Sequence, residues 1–360
     1  MSSLPQSYTK DCYLNVQAMR AIAALLVVLG HTLALGGMEL PRYLGGGLVH
    51  TFAYAGVDIF FVISGFVICA AASKHLASTS NSNGLQRATA FLLRRVFRIY
   101  PLYWVLLLAA FCLAYFHNPG LLALPRELIV SLFLLTERNN PVLSPAWSLV
   151  FEMYFYLCTA FILLLSRSRW LLLMAVWFGL SCGLIFSAKS LGLEGRLYTD
   201  PLLLEFGFGC LIFFAISRNY VLAPMLASVT LLLGAVFFFW GAQQTLHQGL
   251  LPPMPRVQSF GVGSALLLYA LICLEHQAQL TMPRLLIALG TISYSIYLVH
   301  RPLIDLGLIL VARYQIQVQA YPVLLSSLMM AIVIAASAVL YRYLERPMIS
   351  IGSRLARRCE

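Results

Sequence analysis

Charged residues are scarce in this sequence of 360 amino acids, of which only 10% are Asp, Glu, Lys or Arg and 61% are hydrophobic. A typical soluble domain is about 25% charged. The mean hydropathy is +0.85, and apolar runs of about 20 residues recur along the whole chain. The composition therefore excludes an ordinary soluble domain and predicts an all-α, polytopic membrane protein with about ten transmembrane helices.

Metal, disulfide and nucleic-acid sites have little support in the sequence. The eight cysteines lie mostly inside apolar runs, form no Cys-x-x-Cys pair and have no histidine cluster beside them. We therefore expect them to pack between helices as small hydrophobic side chains, with no structural disulfide and no metal. The net charge of +11 has no basic soluble domain to carry it, which argues against a nucleic-acid partner and leaves membrane lipids as the expected surroundings.

Two further features are missing from the sequence. The first apolar segment is long, carries Arg20 and has no small-residue cleavage site, so a cleavable signal peptide is not expected. No inverted internal repeat is visible along the chain, although many secondary transporters are built from such repeats.

Ten apolar runs are long enough to span a membrane. They lie at about 14–36, 47–72, 90–116, 146–166, 169–187, 200–216, 222–241, 258–275, 286–312 and 322–344. A shorter run at 128–135 is too brief to span and is predicted to be interfacial or re-entrant. Because no linker separates the runs, we predict one transmembrane domain at 13–348 between an N-terminal tail at 1–12 and a basic tail at 349–360.

The distribution of loop charges predicts the orientation of the chain. Lysines and arginines accumulate after the even-numbered runs, whereas the other loops balance acidic with basic residues. Ten spans with both termini in the cytoplasm fit this alternation. The most polar loop is 76–90, whose Ser, Asn, Thr and Gly content is typical of a flexible segment.

Two ionisable residues, Arg20 and His31, lie inside the first apolar run. Eleven residues at about 100° each amount to about 20° beyond three full turns of a helix, so both side chains share one face. Their separation along the axis is about 16.5 Å, roughly half the hydrocarbon core. An ionisable residue in a membrane helix is costly and is by default a candidate functional residue.

Two acidic residues also lie in apolar runs. Asp58, in the segment GVDIFFVISGF, has two overlapping interpretations: a salt bridge to another helix, for example to an arginine, or a partner that orients and charges a histidine. Glu152 follows Trp147 by more than a turn and is either part of a structural ion pair or a polar contact to an acceptor molecule or to His31.

The segment RRVFRIYPLYW begins the third run with three arginines and three aromatic residues. They are Arg94, Arg95, Arg98, Tyr100, Tyr103 and Trp104. One interpretation is a topological anchor with an aromatic belt. The other is an anion site for a phosphorylated ligand, because the planar donors of arginine suit phosphate. Pro101 is predicted to bend or interrupt this helix.

The ninth run contains GTISYSIYLVHRPLI, in which helical spacing groups polar residues on two stripes. They are Ser293, Tyr294, Tyr297, His300 and Arg301. Together with the ionisable residues of the earlier runs, they predict a polar cavity through the bundle. The tenth run ends in YRYLERP, whose charged residues predict an ion-pair cap.

Taken in order, these motifs resemble the membrane-bound acyltransferase 3 family, which includes O-acetyltransferases of bacterial lipopolysaccharide, exopolysaccharide and Nod factor. The resemblance runs from Tyr13 to Pro347. It implies a ten-helix enzyme of the bacterial cytoplasmic membrane that moves an acetyl group from cytoplasmic acetyl-CoA to a sugar hydroxyl at the outer face. Some members carry an appended extracytoplasmic hydrolase-like domain, and this chain, ending at Glu360, is expected to be of the stand-alone type.

The resemblance also implies residue roles, with catalysis by His31 supported by Arg20 and with CoA held by the arginines after the second run. Chemically, acyl transfer needs a base for the hydroxyl proton and a fixed anionic handle on the donor. We expect Asp58 or Glu152 to orient His31. The acyl-CoA group comprises Arg94, Arg95, Arg98, Tyr103 and Trp104, and the cavity for the glycan or glycolipid acceptor comprises Trp147, Tyr294, Tyr297, His300 and Arg301.

A rival hypothesis is a transporter or flippase for a lipid-linked sugar or an organic anion. Polar residues such as Arg20, Asp58 and Arg301 would line a transport pathway equally well. The order of the motifs and the lack of a visible repeat favour the enzyme.

Overall fold

The computed structural model describes residues 13–35, 46–78, 82–117, 125–135, 142–315 and 322–359, so the predicted N-terminal tail at 1–12 lies outside the described residues. Within these ranges the regular structure is helical. The α-helices are α1 (Leu14–Leu35), α2 (Gly46–Ser78), α3 (Gly84–His117), α4 (Pro125–Leu132), α5 (Trp147–Leu165), α6 (Trp170–Ser187), α7 (Leu203–Ser217), α8 (Pro224–Gln248), α9 (Pro253–Arg256), α10 (Val262–His276), α11 (Arg284–Thr291), α12 (Ser293–Tyr314), α13 (Pro322–Leu340) and α14 (Arg346–Cys359).

The prediction of an all-α, multi-pass membrane protein is confirmed. Nine helical segments of the described part are long and apolar enough to cross a membrane, and α7 is a shorter apolar helix. A membrane enforces this architecture, because a backbone in hydrocarbon must satisfy its hydrogen bonds internally.

The chain divides into two compact units. The first comprises Met1–Val27, Gly47–Ala70 and Pro201–Ser293, and the second comprises Val28–Gly46, Ala71–Asp200 and Tyr294–Glu360.

Close backbone contact characterises the first unit, in which α10 packs against α7 and α8. A methyl group added at Gly65 would lie 2.0 Å from the carbonyl oxygen of Phe206, and one at Gly209 would lie 2.1 Å from that of Val62. Membrane helices associate mainly through such tight packing, since lipid supplies no hydrophobic drive between them. Glycine is therefore required where α2 meets α7.

The start of α1 is anchored within the first unit by α10. The carboxylate of Glu275 accepts hydrogen bonds from the backbone N–H groups of Leu14 and Asn15, at 2.7 and 2.8 Å. The Asn15 side chain donates to the carbonyl of Leu271 at 3.0 Å. These bonds satisfy N–H groups that have no partner inside the helix.

In the second unit, α3 packs against α5 and α14, and α5 packs against α6. A methyl group at Gly352 would lie 2.4 Å from Cβ of Phe97, so α14 runs directly along α3. A five-residue π-helical segment, Tyr341–Glu345, joins α13 to α14 without a break. The basic segment 349–360 is therefore helical through Cys359.

Three sequence expectations need correction. The predicted flexible loop at 76–90 is helical at both ends, because α2 continues to Ser78 and α3 begins at Gly84. Asn83 and Gln86 exchange side-chain to backbone hydrogen bonds at 2.8 and 2.9 Å, a capping box that starts α3. The predicted ninth span at 286–312 is two helices, separated at Ile292. Pro101 does not interrupt α3, which runs through it.

The short run predicted as interfacial or re-entrant contains α4, whose eight residues extend only about 12 Å. Three aromatic side chains of α3 donate to the carbonyls at its C-terminal end. Tyr103 reaches Ser131 at 2.5 Å, Trp104 reaches Leu132 at 3.0 Å and Tyr100 reaches Phe133 at 3.0 Å. They add hydrogen bonds to carbonyls at the end of the helix, where the Ser131 carbonyl also accepts from the backbone N–H of Leu134.

Candidate active site

Contacts with neighbouring elements fix the position of α12 within the second unit. The 19 residues of α13 extend about 28 Å, which matches the hydrocarbon core. Beyond its end, the carboxylate of Glu345 accepts a hydrogen bond from Ser295 at 2.5 Å, and Tyr294 donates to the carbonyl of Ile99 at 2.8 Å. Glu345, Ser295 and Ile99 therefore lie close together beyond the end of α13.

From there α12 runs back along α13, since a methyl at Gly307 would touch Met329. His300 follows Ser295 by five residues and so lies about 7.5 Å further along α12.

A pair of histidines lies at this position along α12. The ring centroids of His31 and His300 are 5.0 Å apart, and the ring planes are inclined by 56°. His300 is fully buried, whereas His31 is partly exposed. The predicted base and one predicted cavity residue, from α1 and α12, are thus brought together.

His300 is held in one orientation by its own helix. Its Nδ1 lies 2.6 Å from the carbonyl oxygen of Tyr297. A carbonyl only accepts, so Nδ1 carries the proton and Nε2 is left as an acceptor. Nε2 is buried and has no hydrogen-bond partner among the described residues.

Tyr297 is fixed in turn by the residues that lead into α5. Its hydroxyl donates to the carbonyl of Pro145 at 2.9 Å and lies 2.7 Å from the Ser148 hydroxyl. Sequence reasoning missed Ser148, which adjoins Trp147. The Trp147 ring packs edge-on against Phe151, with centroids 5.9 Å apart. Of the predicted cavity residues, Tyr297 and His300 therefore form one hydrogen-bonded group.

The other two predicted cavity residues have partners elsewhere in the second unit. The Tyr294 hydroxyl bonds to Ile99, as described above. Arg301 forms an ion pair with Asp305 one turn along α12 at 3.0 Å, and both side chains are more than one-third exposed. Arg301 therefore lies at the surface of this unit.

The three arginines of α3 lie among acidic, histidine and aromatic side chains. Arg94 donates to Nδ1 of His75 at 3.0 Å, and Nε2 of His75 donates to the carbonyl of Arg87 at 2.9 Å. The guanidinium of Arg95 lies 5.3 Å from the ring centroid of Phe91 and 5.7 Å from that of Tyr156, within cation–π range.

Carboxylates of α5 and of the π-helical segment lie within electrostatic reach of these arginines. Glu152 attracts both Arg95 and Arg98, and Glu345 attracts Arg98. The Tyr156 hydroxyl donates to Glu152. The Nε of Arg95 is buried without a hydrogen-bond partner among the described residues. Three cations against two carboxylates leave this edge of the unit positive.

Tyr103 and Trp104, predicted to accompany the arginines in binding CoA, donate hydrogen bonds to carbonyls of α4. Tyr103 is fully buried, and the Trp104 side chain is 43% exposed. Their hydrogen bonds hold α4 against α3.

In the first unit, Asp58 forms an ion pair with Arg256. Nε donates to Oδ1 at 2.8 Å and Nη2 donates to Oδ2 at 2.8 Å, and Nη2 also reaches the carbonyl of Tyr54 at 3.1 Å. Such two-pronged geometry is the strongest form of this contact. The salt-bridge interpretation of Asp58 is thus the one its contacts match, with a partner that sequence reasoning did not name.

Sequence reasoning did not single out one buried acid, Glu205, and it predicted other contacts for a second, Glu345. Glu205 of α7 is fully buried, and a methyl at Gly261 would lie 2.7 Å from its Oε1. The signal was available, since Glu205 is an acid inside an apolar run. Glu345, expected in an ion-pair cap, is buried and bound to Ser295.

Arg20 lies on α1, half-buried and in the same unbroken helix as His31.

Comparison with known proteins supports an enzyme. A family model described as an acyltransferase domain, of the acyltransferase 3 type, matches residues 13–342. The chain is 29% identical over 318 residues to the exopolysaccharide production protein ExoZ of Rhizobium meliloti (strain 1021), covering 84% of this chain and 91% of that protein.

The chain is also 25% identical over 389 residues to the O-acetyltransferase OatA of Staphylococcus aureus (strain NCTC 8325 / PS 47), covering 96% of this chain. The match spans 58% of OatA, so this chain corresponds to somewhat over half of that relative. No solved structure matches the chain.

Proposed function

Because the chain belongs to the acyltransferase 3 family, we propose that it moves an acetyl group from acetyl-CoA to a hydroxyl of a sugar or glycan. The observation that carries the proposal is the pairing of His31 with the buried His300, inward from a positively charged edge of the second unit. The names of the relatives support the reaction and the acceptor, since one is an O-acetyltransferase and the other acts in exopolysaccharide production.

The charged edge suits the donor. Arg94, Arg95 and Arg98 provide a positive end for the phosphates of CoA, and the buried Nε of Arg95 is a donor available to an anion. His300 lies about 7.5 Å further along α12 than Ser295, so a thioester arm shorter than half of the ~30 Å core would reach it. The arginine end would be cytoplasmic under the positive-inside rule.

The acceptor would approach from the opposite, outer face. Tyr297, His300 and the neighbouring Trp147 form the wall that a sugar hydroxyl would meet beside His31, since aromatic rings and fixed polar groups suit a mostly apolar pocket with few polar contacts. We assign Arg301 and Tyr294 to the surrounding structure on the basis of their existing partners.

In this reaction His31 takes the proton of the acceptor hydroxyl as its oxygen bonds to the thioester carbonyl carbon. The carbonyl oxygen gains charge in the tetrahedral intermediate. Arg20, about 16.5 Å from His31 along the helix axis, is assigned a supporting role away from the reacting atoms. When the carbon–sulfur bond breaks, the protonated His31 returns its proton to the departing CoA sulfur. The products are the acetyl ester and CoA, and His31 is regenerated.

The carboxylates take structural roles in this proposal. Asp58 is occupied by Arg256, and Glu152 balances Arg95 and Arg98 while it binds Tyr156. The domain at 13–348 is assigned to the bacterial inner membrane, with the flanking segments 1–12 and 349–360 in the cytoplasm.

The proposal is tested by His31→Ala in sealed vesicles that contain the glycan acceptor, with labelled acetyl-CoA supplied on one side at a time. We expect the wild type to label the glycan only when acetyl-CoA is on the cytoplasmic side, and His31→Ala to abolish labelling at normal membrane levels. His247→Ala is the matched control, because His247 is exposed on α8. Glycan labelling retained in His31→Ala, or absent in the wild type, would overturn the proposal.

A further inference from the structure

The acceptor nitrogen of His300 is the polar atom of the histidine pair that the resting structure leaves unused. Nδ1 is committed as a donor to the Tyr297 carbonyl, so Nε2 presents a lone pair. That nitrogen is fully enclosed and has no partner among the described residues. Leaving a buried polar atom unpaired costs about 1–3 kcal/mol, so its retention calls for an explanation.

His31 needs such an acceptor most when it becomes charged during the reaction. A neutral imidazole has one N–H group, whereas the imidazolium formed by taking the hydroxyl proton has two. The nitrogen that takes this proton faces the acceptor molecule, so the N–H group on the opposite nitrogen is present in both forms and becomes a stronger, charged donor in the imidazolium. In enzymes with a histidine base, an adjacent group that accepts this N–H orients the ring and stabilises its protonated form.

The two acids that the sequence nominated for this task have other partners. The Asp58 carboxylate accepts hydrogen bonds from Nε and Nη2 of Arg256. Glu152 accepts from Tyr156 and lies in the field of Arg95 and Arg98. An acceptor next to His31 in the second unit is the neutral ring of His300, 5.0 Å away between centroids.

We propose that His300 is a positioning residue whose Nε2 accepts the N–H group of His31 opposite the nitrogen that takes the acceptor's proton, a bond that strengthens once His31 is charged. The inference rests on the proposed function, in which His31 is the base. Two imidazole rings at this spacing can bring facing nitrogens to about 3 Å by a small tilt, which is hydrogen-bond distance. Catalytic hydrogen bonds are often long in the resting enzyme and shorten in the reacting complex.

The surroundings of His300 prepare it for this role. The Tyr297 carbonyl sets its tautomer, and the Tyr297 hydroxyl is tied to Pro145 and Ser148. The acceptor is thus in place before the charge forms, and a bond that becomes stronger when His31 is charged favours the transition state over the ground state. Removal of the acceptor should therefore lower kcat with little change in KM.

Two substitutions separate the two ring nitrogens. The amide of Asn occupies the position of Nδ1, so His300→Asn can keep the bond to the Tyr297 carbonyl while it loses the Nε2 acceptor. The longer side chain of Gln places its amide near Nε2, so His300→Gln keeps an acceptor there. We expect His300→Asn to lower kcat about 100-fold, as for loss of acid–base assistance, with KM for acetyl-CoA unchanged. His300→Gln should recover at least about tenfold of that loss.

Control measurements distinguish positioning from structure. His247→Asn, at an exposed site of α8, should match the wild type in kcat and KM. Equal losses in His300→Asn and His300→Gln, or a loss in KM alone, would overturn the positioning role. An unchanged kcat in His300→Asn would do the same.

A spectroscopic readout tests the contact without catalysis. In acidified lipid vesicles of ¹⁵N-histidine-labelled protein, the ring nitrogen signals of His31 are identified by their loss in His31→Asn. We expect them to shift in His300→Asn and not in His247→Asn. Unshifted signals would refute the contact. A shift in a protein whose wild type transfers no acetyl group would instead uphold the contact and reject the proposed function.

Discussion

The ion pair of Asp58 with Arg256 in the first unit and the histidine pair in the second are both buried polar contacts, but only one is complete. Asp58 receives hydrogen bonds on both oxygens. His300 keeps an enclosed nitrogen without a partner among the described residues, as does Arg95. Natural proteins pair nearly all buried polar groups. The complete pair therefore serves the fold, and the incomplete one is where we expect chemistry.

The largest expected effect is on stability, from Asp58→Ala. It would leave the guanidinium of Arg256 buried without its carboxylate, which costs about 3–5 kcal/mol. Thermal unfolding of the purified protein in detergent measures the loss. The matched control is Asp305→Ala, which removes an exposed pair worth at most about 1 kcal/mol. A loss for Asp58→Ala no greater than that for Asp305→Ala would contradict the structural assignment.

A second stability prediction tests the tight packing of the first unit. Gly65→Ala would place a methyl group 2.0 Å from a backbone oxygen that cannot move aside independently, and such overpacking costs about 1–3 kcal/mol. Gly179→Ala on α6 is the control, because nothing lies within 4 Å of its added methyl group. The same unfolding assay compares the two. Equal stability of both variants would show that α2 and α7 separate easily.

The smallest expected effect concerns the donor. Arg98→Gln should raise the KM for acetyl-CoA about tenfold, the equivalent of about 1.4 kcal/mol, because it removes a charged donor from the CoA phosphates. Initial rates at varied acetyl-CoA measure it, with Arg169→Gln, an exposed arginine after α5, as the control. An unchanged KM for Arg98→Gln would assign Arg98 to the internal ion cluster with Glu152 and Glu345.

Prediction from the sequence succeeded where local periodicity suffices. The spans, the common helix of Arg20 and His31 and the brevity of α4 follow from run length and the 3.6-residue repeat. The failures were local exceptions. The Asn83–Gln86 capping box extended α3 into a polar segment, and a predicted span broke at Ile292. Neither the capping box nor the helix break can be recognised from polar composition or hydropathy.

The candidate site shows a second limit. The sequence named His31 and His300 separately, and it proposed Asp58 or Glu152 as the group that orients His31. Asp58 instead meets Arg256, 198 residues away, an arginine that no motif marked. Tyr103 and Trp104 were grouped with the CoA arginines because they are neighbours in sequence, whereas their donors serve α4.

The sequence alone determined that this chain is a multi-pass helical membrane protein of the acyltransferase type, and which ionisable residues lie inside its spans. A bilayer dictates this much, since any apolar run of sufficient length must fold as a helix with its backbone satisfied. Tertiary structure decided which of those residues meet. Partner choice between helices depends on how the helices pack, and that packing brings together side chains that the chain itself separates by hundreds of residues.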